Sequence, residues 1–126
     1  MPCKISIISD GTIIENKLDG ECSPEEIFQS VKDVAVYHEE KGITKFVVDC
    51  STFESNDRYP TLNAYKIMQL YEELDAGRSA NVALVVPFEG SIKEHLKFFE
   101  MATKNRGFQV QIFPDRKNAL AWLKRP

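Results

Sequence analysis

Three short apolar runs, separated by stretches with helical signals, constrain the fold of this chain most. The run Phe46-Val47-Val48 and the run at 82–86 are continuously apolar, whereas residues 108–113 alternate as F-Q-V-Q-I-F. A continuous apolar run is typical of a strand that is covered on both faces, as parallel strands between helices are. Alternation indicates a strand with one face in water. The pattern therefore predicts a parallel sheet with helical crossovers.

The N-terminal segment carries the signature of a β-hairpin. Isoleucines lie on both sides of Asp10-Gly11, a pair that tolerates the positive φ angles of a tight turn. We therefore predict two antiparallel strands before the first helix. Asp19-Gly20 is predicted to break the second of them.

Helix boundaries are marked by capping residues. Ser23-Pro24-Glu25-Glu26 supplies an N-cap, a first-turn proline and a capping-box glutamate, and Gly42 is placed to end that helix. A second helix is predicted to begin near Leu62 and to end before Gly77. A third follows the capping box of Ser91 and ends at 105–107, and a fourth is capped by Asp115. The order ββαβαβαβα over residues 1–126 predicts one α/β domain with a mixed five-stranded sheet and about four helices.

Composition excludes several classes of protein. The chain is 43% hydrophobic and 28% charged, with a net charge of -3 and no basic stripe, which argues against binding to nucleic acid. Neither a leader sequence nor an apolar run long enough to span a membrane is present, so we expect a cytoplasmic protein without membrane insertion. Cys3, Cys22 and Cys50 have neither disulfide nor zinc-site spacing and are predicted to be reduced thiols.

Right-handed crossovers should bring the carboxyl ends of the last three strands to one edge of the sheet. Ligands of open α/β sheets bind at such an edge. We call residues 49–59, 87–91 and 114–115 the recognition edge. Its candidate binding side chains are Asp49, Ser51, Ser55, Asp57, Arg58, Phe88, Glu89 and Ser91.

Catalytic interpretations of this edge have weaker support. Seven residues separate Cys50 from Arg58, not the five of a cysteine phosphatase loop, and the segment contains no glycine. Carboxylates of Asp49, Asp57 and Glu89 would suit a cation, so a metal-dependent enzyme remains an alternative. No set of nucleophile, base and orienting residue accompanies them. We therefore expect no catalysis, no metal and no cofactor.

The predicted second helix carries more apolar surface than one contact with a sheet requires. Tyr65, Met68 and Tyr71 widen its apolar face. These residues would either pack in the core, line a pocket or form a contact between subunits.

Four segments spread along nearly the whole chain carry a family resemblance, namely "CKISIISDGTIIENKL", "FVVDCSTFESND", "NVALVVP" and "FFEMATKNRGFQVQIFPDRKNALAWL". Through them the chain resembles the STAS-like superfamily of anti-sigma-factor antagonists, especially its small stand-alone bacterial members. In the antagonists, a strand ending in Asp leads to an Asp-Ser-Ser-Gly segment whose serine is phosphorylated to release a partner kinase. Asp49 matches the first Asp and Asp57 the second, but Arg58-Tyr59-Pro60 stands in place of Ser-Ser-Gly.

The resemblance implies a regulatory or protein-interaction module that lacks the usual phosphoacceptor, that is not an enzyme and that forms a homodimer. STAS-like domains are also similar in architecture to CRAL-TRIO lipid-transfer proteins. A carrier of a small apolar ligand is therefore the main alternative, with the pocket beneath the predicted second helix.

Overall fold

A computed structural model describes residues 3–54, 81–86, 97, 100, 101 and 109–125. The strands are β1 (Cys3–Ile8), β2 (Ile13–Glu21), β3 (Lys45–Glu54), β4 (Asn81–Val85) and β5 (Gln109–Phe113), and the helices are α1 (Pro24–Lys41) and α2 (Arg116–Leu123). The five strands form one sheet in the order β1-β2-β3-β4-β5. β1 and β2 are antiparallel, and every later pair of neighbours is parallel. The predicted mixed five-stranded α/β sheet is confirmed.

The N-terminal hairpin turns where the sequence predicts. Ser9, Asp10 and Gly11 have φ angles of 53°, 57° and 83°. The Thr12 hydroxyl donates a hydrogen bond of 2.6 Å to the Ser9 carbonyl oxygen and closes the turn. Because short polar residues and glycine tolerate left-handed backbone, this turn forms without a bulky side chain in a strained position.

Asp19-Gly20 does not break β2, contrary to the prediction. The strand continues to Glu21, with an irregularity in its pairing to β3 between Lys17 and Asp19. Gly20 has a φ of 66°, which a glycine adopts without steric cost. The register shifts just before these two residues, as it does at a bulge, and both of them pair with β3.

The extension of β2 also corrects the predicted end of β3. The recognition loop was predicted to begin directly after Asp49, but β3 continues to Glu54. Thr52 pairs with Asp19 across the two strands, and its hydroxyl donates a hydrogen bond of 2.7 Å to the Asp19 carboxylate. Cys50 and Ser51 are therefore strand residues, because β2 supplies pairing partners that a local pattern does not show.

Helix α1 has the predicted boundaries. The Ser23 hydroxyl accepts from the backbone N–H of Glu26, and the Glu26 carboxylate accepts from the backbone N–H of Ser23, which completes the capping box. Gly42 follows the helix with a φ of 67°, and its N–H donates to the His38 carbonyl oxygen. These caps fix the register of α1 and hence the face that it buries.

The sheet is covered on both faces, as the continuous apolar run in β3 predicts. Phe46 packs with α1, and Val47 packs with α2. The α1 face of the core contains Ile14, Val31, Val34, Ile43, Phe46, Val82, Leu84 and Val110. The α2 face contains Ile13, Val47, Ala83, Val85, Phe113, Ala119 and Leu123. Gln109 and Gln111 of β5 are exposed, which confirms the predicted wet face at the start of that strand.

The two middle predicted helices fall mostly outside the described residues. Lys97, Glu100 and Met101 are helical, in agreement with the predicted third helix. The Glu100 carboxylate accepts a hydrogen bond of 2.5 Å from the backbone N–H of Ile112 in β5. No helix within the described ranges is long and apolar enough to cross a membrane.

Candidate functional site

Asp49 is a buried carboxylate near the carboxyl end of the parallel strands. Its side chain is 4% exposed, and in the sheet it lies between Lys17 of β2 and Val85 of β4. The Asp49 Oδ1 atom accepts hydrogen bonds from the Ser51 backbone N–H, at 3.0 Å, and from the Ser51 hydroxyl, at 2.7 Å. These bonds hold the exposed Ser51 side chain in one orientation at the recognition edge.

Arg116 and Glu15 form an ion pair on the α2 face. Arg116 Nε lies 2.6 Å from Glu15 Oε2, and a second nitrogen of the guanidinium lies 3.3 Å from Glu15 Oε1. The hydrogen bond to Glu15 and then the charges of Glu15 and Asp49 raise the pKa of Arg116 above its ordinary value. Arg116 thus places a cation near the buried Asp49, although the exposed fraction of its side chain is 46%.

Sequence reasoning missed this ion pair. Glu15 and Arg116 are 101 residues apart, so no local pattern joins them. One signal was present: Arg116 directly follows the predicted N-cap Asp115, and Glu15 shares its face of β2 with the apolar Ile13. The prediction that Asp115 caps the last helix is confirmed, since its carboxylate accepts from the Asn118 backbone N–H at 2.8 Å.

Two carboxylates of the edge have described side chains, and both already have hydrogen-bonding partners. Asp49 accepts from Ser51, and Asp115 accepts from Asn118. Next to the edge, Glu15 binds Arg116. Among residues 3–54, 81–86 and 109–125, no three metal-binding side chains come together. The described part of the edge thus presents polar side chains that are hydrogen-bonded to their neighbours. The other candidate residues of the edge, namely Ser55, Asp57, Arg58, Phe88, Glu89 and Ser91, lie outside the described residues.

The three cysteines come together on the α1 face of the sheet, at the end that contains the recognition edge, although they are far apart in sequence. Cys3 begins β1, Cys22 lies between β2 and α1, and Cys50 lies in β3. All three pack against one apolar cluster with Leu18 and Ile27. In the structure all three are free cysteines.

Burial keeps these thiols protonated. Loss of hydration raises the pKa of Cys22 to about 12, with a further contribution from Cys3. Burial also raises the pKa of Cys3, and it raises the pKa of Cys50 further, to which the charge of Asp49 adds. Because the thiolate is the nucleophile, none of the three has the depressed pKa of a catalytic cysteine.

Stability should therefore fall in alkaline solution. Below pH 9.0, the ordinary pKa of these thiols, both the folded and the unfolded chain hold the protons, and the thiols add no pH dependence. Above it, the unfolded chain releases protons that the folded chain retains, so stability decreases until the pH passes the folded pKa, about 12 for Cys22. We expect urea unfolding of Cys50→Ala to show a shallower alkaline decline than the original protein. Parallel declines would contradict the assignment.

A groove of about 740 Å³ lies between α1 and β1, on the face of the sheet opposite α2. Apolar Ile5, Val36 and Tyr37 contribute to its wall, together with acidic side chains such as Glu25 and Glu40. The pocket suggested by the sequence was a different one, beneath the predicted second helix. Tyr65, Met68 and Tyr71, which would form it, lie outside the described residues.

An antiparallel hairpin followed by parallel strands in the order β1-β2-β3-β4-β5, with helices on both faces, defines a STAS-like fold. The structure of the anti-sigma factor antagonist SpoIIAA in its unphosphorylated form matches with a TM-score of 0.64 and 11% identity, covering 97% of this chain and 96% of that one. An anti-sigma factor antagonist from Mycobacterium paratuberculosis matches with a TM-score of 0.63 and 14% identity, covering 98% and 95%.

An uncharacterized protein of the DUF3478 family from Shewanella loihica PV-4, which has a SpoIIAA-like fold, matches with a TM-score of 0.59. Its identity is 19%, and the match covers 96% of this chain and 91% of that one. No protein-family model and no curated protein matches the sequence. The predicted STAS-like fold is therefore confirmed by structure.

Proposed function

We propose that this protein is a non-enzymatic, STAS-like regulatory module of the bacterial cytoplasm, which binds a partner protein through the recognition edge. The observation that carries the proposal is the extension of β3 beyond Asp49, which exposes the side chains of Ser51 and Thr52. The anti-sigma factor antagonists among the structural matches support a regulatory role.

The extension of β3 suits recognition because its polar side chains are held before a partner arrives. β4 ends at Val85, which pairs with Asp49, so within the described residues Ser51 and Thr52 are flanked by β2 alone. Both side chains are exposed, and each is tied by a 2.7 Å hydrogen bond to an aspartate. Side chains ordered in advance lose less entropy on binding, which favours affinity.

The hydrogen bonding of the edge also supports binding over catalysis. A general base needs a carboxylate within reach of a substrate proton. Asp49 is 4% exposed and accepts two hydrogen bonds from Ser51 through one oxygen. In the proposed role, Asp49 positions Ser51 and does not touch a reacting atom.

Site-specific crosslinking tests the proposal. A photoreactive amino acid at Pro114, which is exposed at the recognition edge and leaves Ser51 intact, should give a covalent adduct with a partner protein in the source cell. The same amino acid at Gln109 is the control, because that residue is exposed at the opposite end of the parallel strands. Equal adducts at both positions, or adducts at Gln109 alone, would contradict the proposal.

We also propose that this protein lacks the serine phosphorylation switch of the anti-sigma-factor antagonists. Arg58-Tyr59-Pro60 stands where the antagonists have the segment with the phosphoacceptor serine. The Ser51 hydroxyl donates a hydrogen bond to the Asp49 carboxylate. A carboxylate next to that hydroxyl repels an incoming phosphate. We expect mass spectrometry of protein from its native cell to show no stoichiometric phosphate on Ser51 or Ser55. Stoichiometric phosphate on either serine would show that a phosphorylation switch is present and would contradict this proposal.

The proposal also includes a homodimer, which the apolar width of the predicted second helix supports. Light scattering should give twice the chain mass of 14.4 kDa. Tyr65→Ser with Met68→Ser should shift that mass toward the monomer, since an interface loses affinity when its apolar anchors are removed. A monomer mass for the original protein at high concentration would exclude the dimer.

A further inference from the structure

We propose that Cys3 and Cys22 are a redox-active pair that closes to an intramolecular disulfide by exchange with a low-molecular-weight disulfide. This inference is independent of partner binding. It rests on the meeting of two thiols that the sequence separates by 18 intervening residues.

The two thiols come together at one apolar cluster. Both pack against the cluster formed by Leu18, Ile27 and Cys50. Each is near enough to the other to contribute to its pKa, and the Ser30 hydroxyl also contributes to the pKa of Cys3. Formation of the bond requires the two sulfurs to approach to about 2.05 Å.

The pair is accessible, whereas the third thiol is not. Cys3 and Cys22 are half-buried, and Cys3 lines the groove between α1 and β1. Cys50 is 3% exposed and lies beneath them. A small disulfide can therefore reach either member of the pair but not Cys50, which makes the pair the expected site of exchange.

The exchange has two steps. The thiolate of one cysteine attacks a sulfur of the small disulfide, forms a mixed disulfide and releases one thiolate of the reagent. The second cysteine, after losing its proton to solvent, attacks the protein sulfur of the mixed disulfide and releases the other thiolate. The protein loses two electrons and two protons, and the reagent is reduced to two thiols.

The location gives the disulfide a structural consequence. Cys3 begins the edge strand β1, and Cys22 directly precedes the N-cap Ser23 of α1. The bond would tie the free end of β1 to the connection between β2 and α1. Because the pair shares an apolar cluster with Cys50 of β3, oxidation would act next to the strand that leads to the recognition edge.

Oxidised glutathione is the probe for the test, applied to the full chain and followed by blocking of the remaining thiols. Trypsin separates the cysteines into peptides 1–4, 18–32 and 46–58, so each pairing gives a distinct linked peptide. We expect peptides 1–4 and 18–32 to be linked in the original protein and in Cys50→Ser. Cys3→Ser and Cys22→Ser should show no such link.

The rate supplies a second readout that does not depend on the variants. Because burial keeps the thiols protonated, formation of the link should accelerate about tenfold for each pH unit between about 7 and 9. A link that includes peptide 46–58, a link between chains, a stable mixed disulfide on either thiol, or no oxidation at all would overturn the proposal.

Discussion

Leu123→Ala should lower the free energy of unfolding by about 3 kcal/mol, the largest stability effect that we expect from a single truncation. Leu123 is 0% exposed and packs with Val47 and Ala83 on the α2 face of the sheet. Its truncation leaves a cavity where a helix of 8 residues packs on the sheet. Urea unfolding with an unchanged m-value is the measurement.

Leu120→Ala is the matched control on the same helix. Leu120 is half-buried at the margin of the same cluster, so the identical change removes less packing and should cost about 1 kcal/mol. Equal losses for the two variants would show that α2 does not pack by the face containing Leu123. The result also bears on the site, because α2 carries Arg116 to Glu15.

Ser51→Arg should weaken binding of the partner at least tenfold, which corresponds to about 1.4 kcal/mol. The new side chain adds bulk and charge to the exposed end of β3, and it removes the hydroxyl that Asp49 holds at 2.7 Å. The backbone hydrogen bond from Ser51 to Asp49 is kept, so the fold should survive. Titration of each variant with the purified partner, once crosslinking has identified it, measures the affinity.

Gln109→Arg places the same side chain at the other end of the parallel strands and should leave the affinity unchanged. Far-ultraviolet circular dichroism of both variants separates loss of binding from loss of folding. A partner that binds Ser51→Arg and the original protein equally well would exclude the β3 extension as a contact surface.

Elements defined by local signals could be predicted from the sequence. The hairpin follows from Asp10-Gly11, and both ends of α1 follow from Ser23 and Gly42. The apolar run in β3 predicted that helices cover both faces, and Phe46 and Val47 confirm this. In each case, the residues that specify the element are neighbours in the chain.

Features that depend on distant residues could not be predicted. Asp19-Gly20 has the composition of a turn, but pairing to β3 keeps both residues within strand β2. The same pairing extends β3 beyond Asp49. The ion pair between Glu15 and Arg116 and the apolar cluster shared by Cys3 and Cys22 likewise exist only because the fold brings separate segments together.

Hydrogen–deuterium exchange of the isolated complex tests the central claim most directly. The claim predicts that the partner slows exchange of backbone amides in residues 49–59, 87–91 and 114–115, while exchange at Gln109 and Gln111 stays as it is in the unbound protein. Protection confined to the groove between α1 and β1, or to the start of β5, would contradict it.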